Sequence, residues 1–361
     1  MSSITALSKL FAPCLILLLA ACAAQSPGPT PLAAKVSKAE LLDGSIVGLE
    51  PDDVLEPTNI LAINDDMRTF LDAHVPENAH SKHKVQLILA AILDDGLRLD
   101  YNLFRTHTAE EAFYSRDGNC MSFTNLFVAL ARATGVSASY QEVEVPPTWE
   151  ARGDTWLYNK HLNAVVDLPG GRMMVDFALE SYNDEYRRTQ LGDDEAQARY
   201  HNNMGVHWMS EGDLPLAFKH FRRALEIAPD TGYFWTNLGT LYRRAGRPDA
   251  AEAAFLAALD VSRDPAAMSN LARLYRANGS EDLARWYEDK VQLFRRKNPY
   301  YLFHLSEEAY AAGDFERAAR EARRAIRLHK GVHEFHHMLG LAHVQLGVLE
   351  QAEQEFALAA T

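Results

Sequence analysis

The chain has 361 residues, 47% of them apolar and 24% charged, with a formal net charge of −13. That length allows two domains of ordinary size, and the composition is that of a globular chain, not a disordered or collagenous one. The acidity is uneven: residues 23–197 carry 28 acidic and 14 basic side chains and residues 198–361 carry 21 of each, so neither half has the basic footprint of a nucleic-acid binder.

The N-terminus, MSSITALSKLFAPCLILLLAACAAQ, has a short polar lead with Lys9 and then an apolar run from Leu10 to Leu19. The run is shorter than the ~20 apolar residues of a membrane-spanning helix and reads as the core of a signal peptide. It ends in LAAC, Leu19 to Cys22, which resembles the lipobox of bacterial lipoproteins. The resemblance implies removal of residues 1–21 and acylation of Cys22. The resemblance also implies more than one acyl chain, which matters because a single chain anchors only marginally. Ala23 in place of Asp after that cysteine resembles an outer-membrane address, which puts the protein in the cell envelope facing the periplasm. An ordinary signal peptide with a chance cysteine is the competing reading. Residues 22–38, rich in Pro, Ala and Ser, read as the lipidated cysteine and a tether.

Three cysteines then reduce to one. Cys14 leaves with the signal peptide and Cys22 carries lipid, so Cys120 is the sole thiol of the mature chain. Its compartment favours disulfides, yet it has no partner within the chain. It is either a buried small residue or a functional thiol.

The first domain, residues 39–196, opens with two helical patterns. One covers roughly Asn59–His74, with Ile60, Leu61, Ile63, Met67, Phe70 and Leu71 apolar. The other covers Ser81–Leu97, with Val85, Leu87, Ile88, Ala91 and Ile92. Both have the 3.6-residue period of a buried stripe. A third helix is predicted from Cys120 to Thr134, with Phe123, Leu126, Phe127, Leu130 and Ala131 on one face and Gly135 as its stop. Alternation then predicts a strand over Ser137–Val145, ended by Pro146 and Pro147. Residues 161–167 and 172–178 flank Leu168-Pro169-Gly170-Gly171 and read as a β-hairpin.

Residues 197–361 repeat themselves. Gly205, Gly239, Ala272, Ser306 and Gly340 are spaced by 34, 33, 34 and 34 residues. Seven positions after each stands a glycine: Gly212, Gly246, Gly279, Gly313 and Gly347. Twelve after each stands an alanine: Ala217, Ala251, Ala284, Ala318 and Ala352. Phe221, Phe255 and Phe356 fill a large position on the second helix, where repeats three and four have Glu288 and Ala322. The pattern resembles the tetratricopeptide repeat, and five repeats in register imply an all-α solenoid that binds a protein or peptide partner on its concave side. By that resemblance Asn202, Thr240, Arg243, Arg273 and Arg276 lie near the concave surface; solvated polar positions are the plainer reading. The histidines of HEFHH, His333–His337, have no paired carboxylate, so no metal and no cofactor is expected.

Cys120 opens a helix, where unpaired N–H groups and the helix dipole favour a thiolate. A thiolate nucleophile needs a proton carrier, and that carrier an orienting acid. Folding the hairpin brings His161 and Asp176 roughly opposite each other; Asp167, beside the turn, is the poorer partner. GNCMSFTNLFVALARATGVSA around Cys120, KHLNAVVDLPG around His161 and GRMMVDFA around Asp176 together resemble the transglutaminase-like core of the papain-like cysteine fold. The resemblance implies an α+β domain, N-terminal helices then antiparallel sheet, in which Cys120 attacks a carbonyl, His161 carries the proton and Asp176 fixes the imidazole. Many members have an aromatic and an acidic residue just after the His, where this chain has Asn163 and Val165. Trp156 and Tyr158 are candidate groove residues. Two functions compete: a thiol-dependent amide hydrolase or acyl (glutaminyl-type) transferase with partner-recruiting repeats, or a catalytically inactive scaffold of the same architecture.

Overall fold

The computed structural model describes residues 36–50, 52–94, 96–143, 151–152, 155–156, 161–177 and 186–360. The signal peptide, Cys22 and most of the tether lie outside these residues, as do Tyr158 and the side chain of Trp156.

The first helix, α1, is Asp65–His74, six residues shorter than its apolar pattern. Asn64 stops it at the N-terminal side by accepting a hydrogen bond from the Met67 N–H, and Ile60 remains in the core from a turn ahead of the helix, its carbonyl accepting the Ala109 N–H. Helix α2 spans Ser81–Leu93, and Leu97 beyond it is buried without being helical. A two-residue strand β1, Asp100–Tyr101, runs parallel to β2, Asp117–Gly118. Between them is a helix that the sequence pattern does not announce. This α3, Ala109–Ser115, is held by a capping box between Thr108 and Glu111, a local device that replaces a long apolar stripe.

Helix α4, Cys120–Ala133, is the hub. Phe123, Leu126, Phe127, Leu130 and Ala131 are all buried, and the chain leaves at Gly135 with φ +80°. Against it lies a four-stranded antiparallel sheet. Its strands are β3 (Ala138–Val143), β6 (His161–Leu168), β7 (Gly171–Val175) and β8 (Arg188–Leu191), in the order β7-β6-β3-β8; a small separate hairpin pairs β4 (Ala151–Arg152) with β5 (Thr155–Trp156). β8, with only Arg188-Thr189-Gln190-Leu191, offers too short an alternation to read from sequence, but it pairs with β3 through Tyr140↔Leu191.

Ten helices follow: α5 (Asp193–Glu211), α6 (Leu214–Ile227), α7 (Gly232–Arg244), α8 (Pro248–Val261), α9 (Pro265–Ala277), α10 (Glu281–Arg295), α11 (Pro299–Ala311), α12 (Phe315–Leu328), α13 (His333–Gln345) and α14 (Leu349–Ala359). They pack as five consecutive pairs, and the glycine between the helices of each pair has φ between +71° and +87°, a region open to glycine at little cost. The divergence of repeats three and four has a steric cause. A Cβ on Gly205, Gly239 or Gly340 would sit within 2.6 Å of the ring of Phe221, Phe255 or Phe356. Repeats that carry a side chain at that anchor, Ala272 and Ser306, have no phenylalanine opposite, and Ser306 Oγ instead donates to the Ala318 carbonyl at 2.7 Å. Gly239→Ala therefore overpacks its repeat, and urea denaturation should register a loss of about 1–3 kcal/mol.

The two halves share α5. Its Ala196 and Tyr200 belong to the core around α4, while Ala198 and Met209 belong to the core of the repeats. The expected boundary at 196/197 thus falls inside one continuous helix. A buried ion pair, Arg199 Nε to Glu142 Oε2 at 2.6 Å, ties α5 to β3. The segment before α1 packs on the repeats. Leu41 is buried among Phe218, Trp235 and Tyr242, its carbonyl accepts the Tyr242 hydroxyl at 2.5 Å, and Lys38 lies 5.6 Å from the centre of the Trp235 ring.

Candidate active site

The turn into α4 is built by Asn119. Its side-chain oxygen accepts the N–H groups of Met121 and Ser122 at 3.1 and 3.2 Å, and its amide donates to Thr106 Oγ1 at 2.6 Å. Gly118, at φ +149°, leaves no room for a side chain: a Cβ there would meet Ser122 Cβ at 2.4 Å. A further pair, His107 Nε2 to Asp117 Oδ1 at 3.0 Å, clamps the approach to the turn. This makes Cys120 the first helical residue, half-buried, at the end of α4 where backbone N–H groups have no helical partner.

The hairpin delivers the other two residues. Ala164 pairs with Val175, and continuing this register sets Asn163, not His161, opposite Asp176. His161 lies two residues along the same face and closes the diagonal with its ring: Nε2 is 2.7 Å from Asp176 Oδ1. Asn163 Nδ2 donates to the other carboxylate oxygen at 2.9 Å. The side chains of His161 and Asp176 are 10% and 6% exposed, so the pair is screened from water. Burial pushes the His161 imidazole down, but the hydrogen bonds with Asp176 and Cys120, and the negative charge of both, outweigh it and raise the pKa to about 10. The Asp176 carboxylate takes the Nε2 side of the His161 ring.

Two positioning residues carried no signal as such in the sequence. Asn163, read as a departure after the histidine, donates to the second oxygen of Asp176. Thr124 Oγ1 bonds the Cys120 carbonyl at 2.8 Å and lies 3.4 Å from the Leu162 carbonyl, so it spans from the thiol's helix to the strand of His161. Both could be found only once the elements were assembled. Asp167 pairs with Arg172 across the hairpin turn at 3.0 Å, away from His161. Removing the Asn163 amide, as Asn163→Ala, should lower the rate of any reaction that uses the His161–Asp176 pair by about tenfold, the size of one lost hydrogen bond to a charged group; steady-state kinetics would read it.

The repeat residues are less uniform. Asn202 is buried and accepts from Asn237 Nδ2 at 2.7 Å. Thr240 is buried and donates to the Thr236 carbonyl at 3.0 Å. Arg243 is half-buried, and its Nε has no hydrogen-bond partner among the described residues. Arg273, also half-buried, lies 3.4 Å from Asn270 Oδ1. Arg276 is exposed and pairs with Glu288 at 2.7 Å. Part of the repeat surface is taken by the chain itself: besides Arg199–Glu142, Asn203 Nδ2 lies 3.8 Å from the sulfur of Met121, the neighbour of Cys120, and Tyr186 meets Tyr300 edge to face at 6.2 Å.

Residues 74–182 match the model of the transglutaminase-like superfamily, and residues 194–264, 236–299 and 305–361 match models of the tetratricopeptide repeat. No curated protein matches the chain. Similar solved structures include MamA from Desulfovibrio magneticus RS-1, at 15% identity over 47% of this chain and 94% of that one, with a TM-score of 0.27. YrrB, described as a TPR protein with an unusual peptide-binding site, is similar at 16% identity over 45% of this chain and 84% of that one, TM-score 0.26. PilF of Pseudomonas aeruginosa is similar at 14% identity over 47% and 78%, TM-score 0.28. At these scores none carries an argument about function. The family matches and the architecture agree: this chain joins a transglutaminase-like domain to a solenoid of tetratricopeptide repeats.

Proposed function

We propose that the protein is a thiol enzyme of the cell envelope, an amide hydrolase or acyl (glutaminyl-type) transferase working through Cys120, His161 and Asp176. The observation that carries this reading is the buried 2.7 Å hydrogen bond from His161 to Asp176 beside a helix that begins at Cys120. A protonated His161, favoured by its raised pKa, is the acid of this mechanism and Cys120 its nucleophile. The sulfur attacks an amide carbonyl, and the carbonyl electrons move to oxygen. As the tetrahedral intermediate collapses, the C–N bond breaks and imidazolium gives its proton to the departing amine. The resulting thioester passes its acyl group to water or to a second amine, whose proton returns to His161. Asp176 holds the ring and stabilises its charge; Asn163 holds Asp176. The Cys120 N–H at the helix start is the backbone donor available to the developing oxyanion.

The repeats bring this chemistry to a protein or peptide partner, and acylated Cys22 holds the molecule at the membrane, in the outer membrane facing the periplasm. The experiment is incorporation of a fluorescent alkylamine into envelope proteins by the wild-type chain and by Cys120→Ala, with release of ammonia followed in parallel. Signal in the wild type alone supports the reading. No amine incorporation and no ammonia release by either chain, with partner capture intact in both, favours the inactive-scaffold alternative.

A further inference from the structure

Residues 53–58, ahead of α1, lie against the first helix pair of the repeats and are pinned at both ends. Arg222 of α6 donates to the Asp53 carbonyl, and Gln197 of α5 donates to the Thr58 carbonyl at 2.9 Å. Between the pins a cleft of about 230 Å³ stays open. Its wall carries His201 from α5 and Lys219, Arg222 and Arg223 from α6, together with Glu56 and Glu226. The volume is below the roughly 300–1,000 Å³ of pockets for drug-sized ligands, so the cleft suits one small polar group.

His201 is 1% exposed. Its Nδ1 lies 3.1 Å from Nδ1 of His220, and its Nε2 is buried with no hydrogen-bond partner among the described residues. Folded proteins pair nearly all of their buried polar atoms. With Nδ1 taken by His220, Nε2 is the polar edge of the ring left for the cleft. Burial pushes the imidazole down to about 3, and the charges of His220 and Arg223 act in the same direction, so the ring is neutral near pH 7. One proton then lies between the two Nδ1 atoms. When His220 supplies it, His201 carries its own proton on Nε2 and donates there; an anion in the cleft selects that tautomer.

The charges sort by depth. Arg222 is 6% exposed and Lys219 half-buried, whereas Arg223, Glu226 and Glu56 are exposed. Arg223 and Glu226 pair with each other at 3.2 Å. The carboxylates nearest the two deeper cations are Asp53, 3.4 Å from Lys219, and Glu226, 3.9 Å from Arg222 Nε. Both distances exceed the about 2.7–2.9 Å of a charge-assisted hydrogen bond, so each cation can still take a closer oxygen. The three donors come from two helices. A carboxylate offers two oxygens in one plane, while a phosphate spreads three or four tetrahedrally and matches the edge of a guanidinium.

We propose that this cleft binds a single phosphate group, held by His201, Lys219 and Arg222. The site shares no residue with Cys120, His161 and Asp176 and stands independently of the thiol chemistry. Full-length protein in detergent is titrated calorimetrically at neutral pH with sodium phosphate, and with sodium chloride at matched ionic strength. One saturable site is expected for phosphate and none for chloride. Lys219→Met and His201→Leu should each weaken binding about tenfold, the size of one lost hydrogen bond to a charged group. His201→Gln, which keeps an amide donor, should restore most of the affinity, and Arg327→Met, at an exposed arginine of α12, should leave it unchanged. Lys219→Met leaves both pins in place, so the test holds even where His201→Leu fails to fold. A titration with glycerol phosphate separates the sources, and either result agrees with the proposal: binding of both phosphates means that the mouth admits a monoester such as a lipid headgroup, and binding of inorganic phosphate alone means a free ion. No saturable binding of either, or binding undiminished in both Lys219→Met and His201→Leu, overturns the proposal and leaves the cleft to water.

Discussion

On the proposed mechanism Cys120→Ala should abolish amide turnover, a loss of about 10⁴-fold or more, because the acyl intermediate forms on its sulfur. The fold should survive. Cys120 is half-buried at the first position of α4, and the helix start is held by Asn119 and Ser122, which the substitution leaves in place. The variant should therefore retain its urea midpoint within the range of surface changes, about ±0.5 kcal/mol, while activity vanishes. Residual turnover above that of the uncatalysed reaction would mean that the thiol is not the nucleophile.

Asp176→Asn should come next in size. The carboxylate accepts from His161 on one oxygen and from Asn163 on the other. An amide can reproduce one acceptor but not the charge, so the imidazole loses the partner that opposes its desolvation. In a comparable triad the same change costs about 10⁴ in kcat, and a loss of that order is expected here at pH 7. The linkage has a definite sign. The pKa of His161 is raised in the folded state to about 10, against about 6.5 for an unfolded histidine. Its contribution to stability is then full below pH ~6.5 and disappears as pH rises through 10. Urea titrations of wild type and His161→Ala should differ most near pH 6 and converge toward pH 10; a gap that widens with pH would contradict the assigned direction.

The repeats were legible because their signal is periodic: five anchors at 33 or 34 residues recur too regularly to misplace, and the helices fall where the glycines separate them. The meeting of His161 with Asp176 was legible because one opens β6 and the other directly follows β7, across a turn of recognisable type. What the sequence withheld is of two kinds. Short elements held by local hydrogen bonds, such as α3 with its capping box or β8 with four residues, lack the length over which periodicity shows. Positioning residues act only across assembled elements. Asn163 looks like a deviation until the hairpin register sets it opposite Asp176, and Thr124 is one more helical threonine until β6 arrives beside it. The boundary between the halves was obscured because α5 serves both cores, so no change of composition marks it. Nor does an apolar pattern reveal that Leu41 packs against the repeats, since a buried leucine gives no hint of which core receives it.

The pH dependence of Cys120 alkylation by iodoacetamide, in wild type and in His161→Ala, tests the central claim most directly. A thiol paired with a protonated imidazole reacts well below the pH at which an ordinary thiol ionises, ~8.5, and loses that early reactivity when the imidazole is removed; this is the result expected. Alkylation that follows an ordinary thiol in both proteins, or that waits for denaturation, would contradict it and leave Cys120 a structural residue.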